Sequence, residues 1–210
     1  MRKYLVEFIG TFFLVFTIGQ TVIGTSGPAA ALAPLAIGSA LMVMIYAGGH
    51  ISGGHYNPAV TLAVTIRGKC SWLDAPIYMV AQVLGALGAG AVVLYLKGDV
   101  QAHPMNPDRY PAIIAEALFT FALCYVVLNT ATAKATAGNS NYGLAIGFTV
   151  LTGAFAVGSI SGGAFNPAVA VGVTLMNLSW LKNIWIYLVS EFGAAILAGL
   201  AFRLLNPDDK

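Results

Sequence analysis

The sequence predicts an all-α membrane protein with six transmembrane helices plus two re-entrant half-helices, arranged as an inverted internal repeat. Three observations carry that prediction. Composition is the first: 58% of the 210 residues are hydrophobic and 9% are charged, with a mean hydropathy of +0.81. Soluble domains carry roughly 25% charged residues, and so few charges cannot dress a water-exposed surface of this size. The second is a set of six apolar runs, each near the ~20 residues that a spanning helix needs. The third is a repeat, in which ISGGHYNPAV at 51–60 recurs as ISGGAFNPAV at 160–169.

In chain order the apolar runs fall at 4–24, 30–49, 73–96, 111–131, 142–158 and 183–203, located by hydropathy. The first follows Arg2 and Lys3 as a signal peptide would, but Glu7 interrupts it and a counterpart exists later in the chain, so it is read as a helix. The repeat has one constant offset of 109 residues, which pairs Asn57 with Asn166, Glu7 with Glu116, Tyr78 with Tyr187 and Gln82 with Glu191. Each half holds three crossings, an odd number, so the second half enters the membrane from the opposite side. The chain is thus a single membrane domain with repeat halves 1–100 and 110–210 and a linker over 97–110. Basic residues set its orientation. With both termini cytoplasmic, Arg2, Lys3, Arg67, Lys69, Lys134, Arg203 and Lys210 lie inside, against Lys97, Arg109 and Lys182 outside, as the positive-inside rule requires of a cell membrane protein.

After each Ser-Gly-Gly comes Asn-Pro-Ala and about ten apolar residues, 57–66 and 166–176. Ten helical residues rise about 15 Å, half of a hydrocarbon core about 30 Å thick, so each segment is expected to dip in and stop near the midplane. Asn is a preferred N-cap and Pro is favoured at the first helical position, so Asn57-Pro58-Ala59 and Asn166-Pro167-Ala168 each read as a helix start. Gly53, Gly54, Gly162 and Gly163 supply the irregular backbone before them. Such backbone is tolerated at membrane depth only where protein buries it or water lines it. Two half-helices related by inversion would meet N-terminus to N-terminus, each end carrying about +0.5 charge, in a positive midplane that repels cations.

The remaining polar residues fit an interior of this kind. Glu7, Glu116, Gln82 and Glu191 are costly in hydrocarbon and should face inward. His50 and His55 bracket the first loop, but neither Cys, Asp nor Glu lies near them to complete a metal site, and the second half replaces them with Ser159 and Ala164. They are read as buried groups that brace the loop, with no metal. Cys70 and Cys124 fall at different depths and are not expected to pair. No Ser, His and acid grouping recommends a nucleophilic site, so the chain is read as no enzyme, with no cofactor. A net charge of +2 with scattered basic residues excludes nucleic acid as a partner.

The duplicated Asn-Pro-Ala, the wording ISGGHYNPAV and the paired Glu7 and Glu116 resemble the aquaporin (major intrinsic protein) family over nearly the whole chain. The resemblance implies a homotetramer in membrane lipid with one pore per subunit, passing water and small neutral solutes. It makes Asn57 and Asn166 the central constriction and lines the path with carbonyls of Gly53, Gly54, His55, Gly162, Gly163 and Ala164. Glu7 and Glu116 would brace the loop backbones.

The family usually places Arg three residues after the second Asn, but here that residue is Val169. The other outer-filter positions would be Ile37, Ala154 and Gly163, all apolar or small. An Arg narrows a pore, offers fixed donors and repels cations; these four residues leave a wider, uncharged filter. The expectation is a passive channel for water and other small neutral solutes such as glycerol, urea or ammonia. Open alternatives are a facilitator in which water is secondary, a non-conducting structural homologue, and a coupled transporter using the buried carboxylates. His103 or Arg109, from the 97–110 linker, could fold over the mouth as a replacement filter.

Overall fold

The computed structural model describes residues 1–209 and is helical throughout, with one isolated bridge between Met105 and Ser179. Six helices are long and apolar enough to cross a membrane. They are α1 (Arg2–Val22), α3 (Ala33–Ser52), α5 (Ala75–Lys97), α6 (Arg109–Val127), α7 (Tyr142–Ser161) and α9 (Ile184–Leu205). Helix α6 runs on through a π turn, Leu128–Thr132. The half-helices are α4 (Pro58–Arg67) and α8 (Pro167–Leu175), and a short α2 (Gly27–Ala31) precedes α3.

Two hydropathy boundaries move for a physical reason. The expected runs 30–49 and 142–158 stop where Gly, His and Ser lower the hydropathy, yet α3 and α7 continue to Ser52 and Ser161. What ends them is glycine: Gly53 (φ +91°) and Gly162 (φ +96°) are left-handed C-caps, each returning its N–H to the carbonyl four residues back. Only glycine adopts that conformation without steric cost.

Packing follows the repeat. Helix α1 lies on α3 and α5, and its counterpart α6 lies on α7 and α9. The halves meet where α3 crosses α7, at Gly38 and Gly147, which are themselves 109 residues apart. A Cβ on Gly147 would come within 2.5 Å of the Gly38 carbonyl oxygen, and one on Gly38 within 2.7 Å of the Gly147 oxygen. Each half-helix docks on the third long helix of the other half, α4 on α9 and α8 on α5. Glycine serves both docks. A Cβ on Gly199 would sit 2.8 Å from Ile66, and one on Gly90 would sit 2.9 Å from Leu175. Small residues in α5 and α9 thus let backbones approach within the subunit, though Gly193 faces open space.

The outside of the bundle is as apolar as its interior. Leu5, Leu118, Leu197 and Leu204 are exposed, and Trp72, Tyr95, Tyr110, Trp180 and Trp185 are exposed near helix ends. Rings at the two ends of an apolar belt match the aromatic girdles of membrane interfaces. Polar side chains go inward, with Glu7, Thr11, Gln82, Glu116, Thr120 and Glu191 fully buried.

Candidate pore and its two loops

The Asn residues cap their half-helices as the sequence requires. Asn57 Oδ1 accepts from the N–H groups of Ala59 (2.8 Å) and Val60 (3.4 Å), and Asn166 Oδ1 from those of Ala168 (2.9 Å) and Val169 (3.3 Å). The same carboxamides also tie the two halves together. Asn57 Nδ2 donates to the Phe165 carbonyl at 2.8 Å, and Asn166 Nδ2 to the Tyr56 carbonyl at 2.9 Å. An amide NH2 has two donor hydrogens, so each Asn keeps one for the cavity that its side chain lines.

These exchanges require the carbonyls of Tyr56 and Phe165 to turn toward the opposite half. Both residues are left-handed, each at φ +49°, a conformation that costs a non-glycine residue about 1–2 kcal/mol. Buried carboxylates hold them there. Glu7 accepts from Ser52 Oγ (2.6 Å), His55 N (3.0 Å), Tyr56 N (2.6 Å) and Gln82 Nε2 (2.7 Å). Glu116 repeats the pattern with Ser161 Oγ (2.6 Å), Ala164 N (3.0 Å) and Phe165 N (2.7 Å). The Tyr78 and Tyr187 hydroxyls complete the brace, donating to the carbonyls of Ser52 (2.9 Å) and Ser161 (2.8 Å). The sequence marked these tyrosines only by their offset, which was the available signal for that role.

The halves differ beside the carboxylates. In the first, Gln82 Nε2 also donates to Thr61 Oγ1 at 2.9 Å, and Thr61 donates its one hydroxyl hydrogen to the Asn57 carbonyl at 3.0 Å. His55 Nδ1 lies 3.2 Å from the same oxygen and must therefore be the donor, which leaves Nε2 of the neutral ring as an acceptor. In the second half Ala170 and Ala164 replace Thr61 and His55, and Glu191 Oε1 accepts the N–H of Asn166 at 3.0 Å. His50 does not share in this network. It is exposed on the last turn of α3 and makes no hydrogen bond among the described residues, so its expected burial is corrected: the helix outlasts the hydropathy run and carries His50 past the turn that faces the loop.

Two cavities lie in the bundle. One, of about 400 Å³, is walled mainly by apolar side chains such as Leu14, Ile18, Leu41, Leu123 and Val150, and holds Asn57, Asn166, Gly162, Gly163 and Ala164. Ile37, Ala154, Gly163 and Val169 converge on its wall together. The other, of about 440 Å³, is more polar and includes Lys3, Gly53, Lys69, Cys70, Asp74 and Tyr78. His55 and Val127 belong to both. Of the Asn-Pro-Ala triplets, only the Asn side chains reach a cavity; Pro58, Ala59, Pro167 and Ala168 are buried behind it. Gly54 also lies behind the wall, against Gly49 and Ile45 of α3, and not among the lining residues expected from the sequence.

The polar mouth is tied down by ion pairs. Lys3 Nζ donates to Asp74 Oδ2 at 2.7 Å and Tyr4 OH to Oδ1 at 2.6 Å, and these bonds hold the Asp74 carboxyl below its ordinary value. Burial pushes the Cys70 thiol up, so it stays protonated and weakly reactive. Arg67, buried at the end of α4, donates to the Thr132 carbonyl (3.3 Å), pairs with Asp209 and stacks 4.6 Å from the Phe202 ring. Asp209 Oδ2 also accepts from Lys134 N at 2.7 Å. Lys210, counted inside from the sequence, lies outside the described residues.

Six membrane-length helices in two inverted halves, each sending in a half-helix whose capping Asn lines one shared cavity, define a channel protein. The chain belongs to the Major intrinsic protein (MIP) family, whose sequence model matches residues 1–202. It is 37% identical to Glycerol uptake facilitator protein-like 6 of Lactiplantibacillus plantarum, with all of both chains covered. It is 35% identical to Aquaporin NIP1-1 of Zea mays, covering 100% of this chain and 77% of that one. The fold is similar to the aquaglyceroporin of Plasmodium falciparum at a TM-score of 0.82 and 21% identity, over 98% of this chain and 97% of that one.

Proposed function

We propose that this chain is a passive channel for water and small neutral solutes, with Asn57 and Asn166 as the central constriction and Ile37, Ala154, Gly163 and Val169 as a wide, uncharged outer filter. The observation that carries this reading is an apolar cavity lined by both Asn57 and Asn166, with a more polar cavity beside it that shares His55 and Val127. A solute in the apolar passage has few partners. The spare amide hydrogens of Asn57 and Asn166, His55 Nε2 and the loop carbonyls of Gly53, Gly162, Gly163 and Ala164 replace part of its hydration, while the wall offers nothing that would hold it.

Charge selectivity rests on the centre. Two half-helix N-termini carry about +0.5 each, and a cation roughly 5 Å from that combined charge meets about 3 kcal/mol at an effective dielectric of ~20. That lowers entry by about two orders of magnitude, and dehydration against the apolar wall adds to it. No base, nucleophile or metal site is needed, so the protein is read as no enzyme. The two halves, 1–100 and 110–210, act as one unit joined by the 97–110 linker. The seven-to-three basic bias supports cytoplasmic termini in a plasma or inner membrane, and the family resemblance supports a homotetramer.

A second reading, a facilitator in which water is secondary, is favoured by the missing cation at Val169. Stopped-flow light scattering of proteoliposomes under sucrose, then glycerol and urea, tests both. Flux of water and solutes above protein-free vesicles supports the channel; solute flux with little water flux selects the facilitator; neither flux overturns both.

A further inference from the structure

The linker between α5 and α6 crosses the mouth of the apolar cavity and is pinned on both sides. On the α1 side, Lys97 Nζ donates to the Gln20 carbonyl at 3.0 Å, and Val100 lies where a Cβ on Gly24 would come within 2.6 Å. On the α8 side, Met105 N donates to the Leu178 carbonyl at 2.9 Å, and Asn183 Nδ2 donates to the Met105 carbonyl at 3.4 Å. Met105 Sδ lies 3.7 Å from where a Cβ on Gly162 would sit. His103 stands between these anchors and is one of the residues lining the cavity.

Polar side chains of this mouth are few, and most are committed. Tyr187 OH donates to the Ser161 carbonyl and lies 3.3 Å from Ser179 Oγ, and both residues are buried. The two cations nearest in sequence are committed elsewhere, Lys97 to the Gln20 carbonyl and Arg109 with its guanidinium 5.6 Å from the Trp185 ring. The His103 ring is exposed and makes no hydrogen bond among the described residues. We infer that His103 supplies the hydrogen-bonding group of the outer filter that Val169 cannot, and thereby ranks neutral solutes by their hydrogen-bonding capacity. The linker thus completes a filter that α3, α7 and α8 leave apolar. This inference rests on the channel reading. Urea, with a carbonyl and two amide groups, leaves more of its hydration behind than a water molecule does, so it gains more from a partner held at the mouth.

The test is the ratio of urea to water permeability in proteoliposomes carrying the whole chain, His103→Ala or His103→Gln. One neutral hydrogen bond is worth about a two- to tenfold change. The ratio should fall by that factor in His103→Ala and stay within about twofold of wild type in His103→Gln. A ratio that is unchanged or raised in His103→Ala, or a Gln variant indistinguishable from Ala, overturns the inference while wild-type flux keeps the channel reading intact. If wild type and variants all match protein-free vesicles, the channel reading fails and this inference falls with it.

Discussion

Asn57 and Phe165, 108 residues apart in sequence, are joined at the centre of the bundle by a 2.8 Å hydrogen bond from the Asn carboxamide to the Phe carbonyl, and Asn166 returns the bond to Tyr56. Each Asn thus does two jobs with one amide, capping its own half-helix through Oδ1 and clasping the other half through Nδ2.

Asn57→Asp separates those jobs. Aspartate caps a helix as well as asparagine does and suits the positive end of α4, but it cannot donate to Phe165. It would also place a full negative charge against the roughly +1 of the two helix ends. Proton conductance, followed with a pH-sensitive dye in proteoliposomes, should rise about tenfold or more, since removing the ~3 kcal/mol barrier leaves dehydration alone. Conductance at the wild-type level would mean that the central charge is not what excludes protons.

Glu7→Gln should be costly for a residue that touches neither solute nor lipid. Glu7 Oε1 accepts from Ser52 and His55, and Oε2 from Tyr56 and Gln82. Whichever oxygen becomes NH2 will face two donors. Hydrogen bonds to charged groups contribute about 1.5–3 kcal/mol each, so stability should drop by about 3 kcal/mol or more. Thermal unfolding in detergent, with Thr17→Ala as a control whose hydroxyl bonds only within α1, measures it; equal melting of the two variants would remove Glu7 from the brace.

The frame of this site was legible in the sequence and its wiring was not. A constant offset exposed the pairs Asn57 and Asn166 and Glu7 and Glu116, because helix caps and spanning lengths are local properties of a chain. Partners drawn from separate helices carry no such signature. Arg67 and Asp209 are 142 residues apart, and Thr61 meets Gln82 only because α4 folds back against α5. His50 is misplaced by hydropathy because hydropathy cannot tell a helix that continues to Ser52 from a loop that begins after Gly49. The linker offers no periodicity at all, so the position of His103 had to await the anchors at Val100 and Met105.

Acid should free the C-terminal tail before it unfolds the bundle. Asp209 is held below its ordinary value by the Lys134 N–H and the adjacent Arg67. A carboxyl depressed in the folded state contributes stability above its unfolded value, near 3.9, and loses it as pH falls through the folded value. The clamp on Thr132 and Lys134 should therefore hold throughout the neutral range and open below about pH 4. Asp209→Asn should open it at neutral pH. Hydrogen exchange at Lys134, slow in wild type at pH 7 and fast in the variant, would bear this out; equal rates would show that the pair does not secure the tail.

Val169→Arg asks whether the outer filter lies where the cavity wall puts it. Val169 sits on the first turn of α8, buried, its N–H already received by Asn166 Oδ1, and its side chain lines the cavity with Ile37, Ala154 and Gly163. An Arg there would add a fixed cation and several donors while filling part of a passage that is otherwise apolar. Backbone capping would be untouched, so α8 should still form. Glycerol, too wide to pass a guanidinium on the opposite wall, should lose at least about tenfold of its flux, a barrier of roughly 1.4 kcal/mol, whereas water should lose much less. Stopped-flow scattering under sucrose and glycerol measures the two rates on one preparation. A fall in both rates together would point to a blocked or misfolded pore, which circular dichroism and thermal melting distinguish. Unchanged glycerol flux would place the narrowest point elsewhere, and the pinned linker carrying His103 would be the next segment to alter.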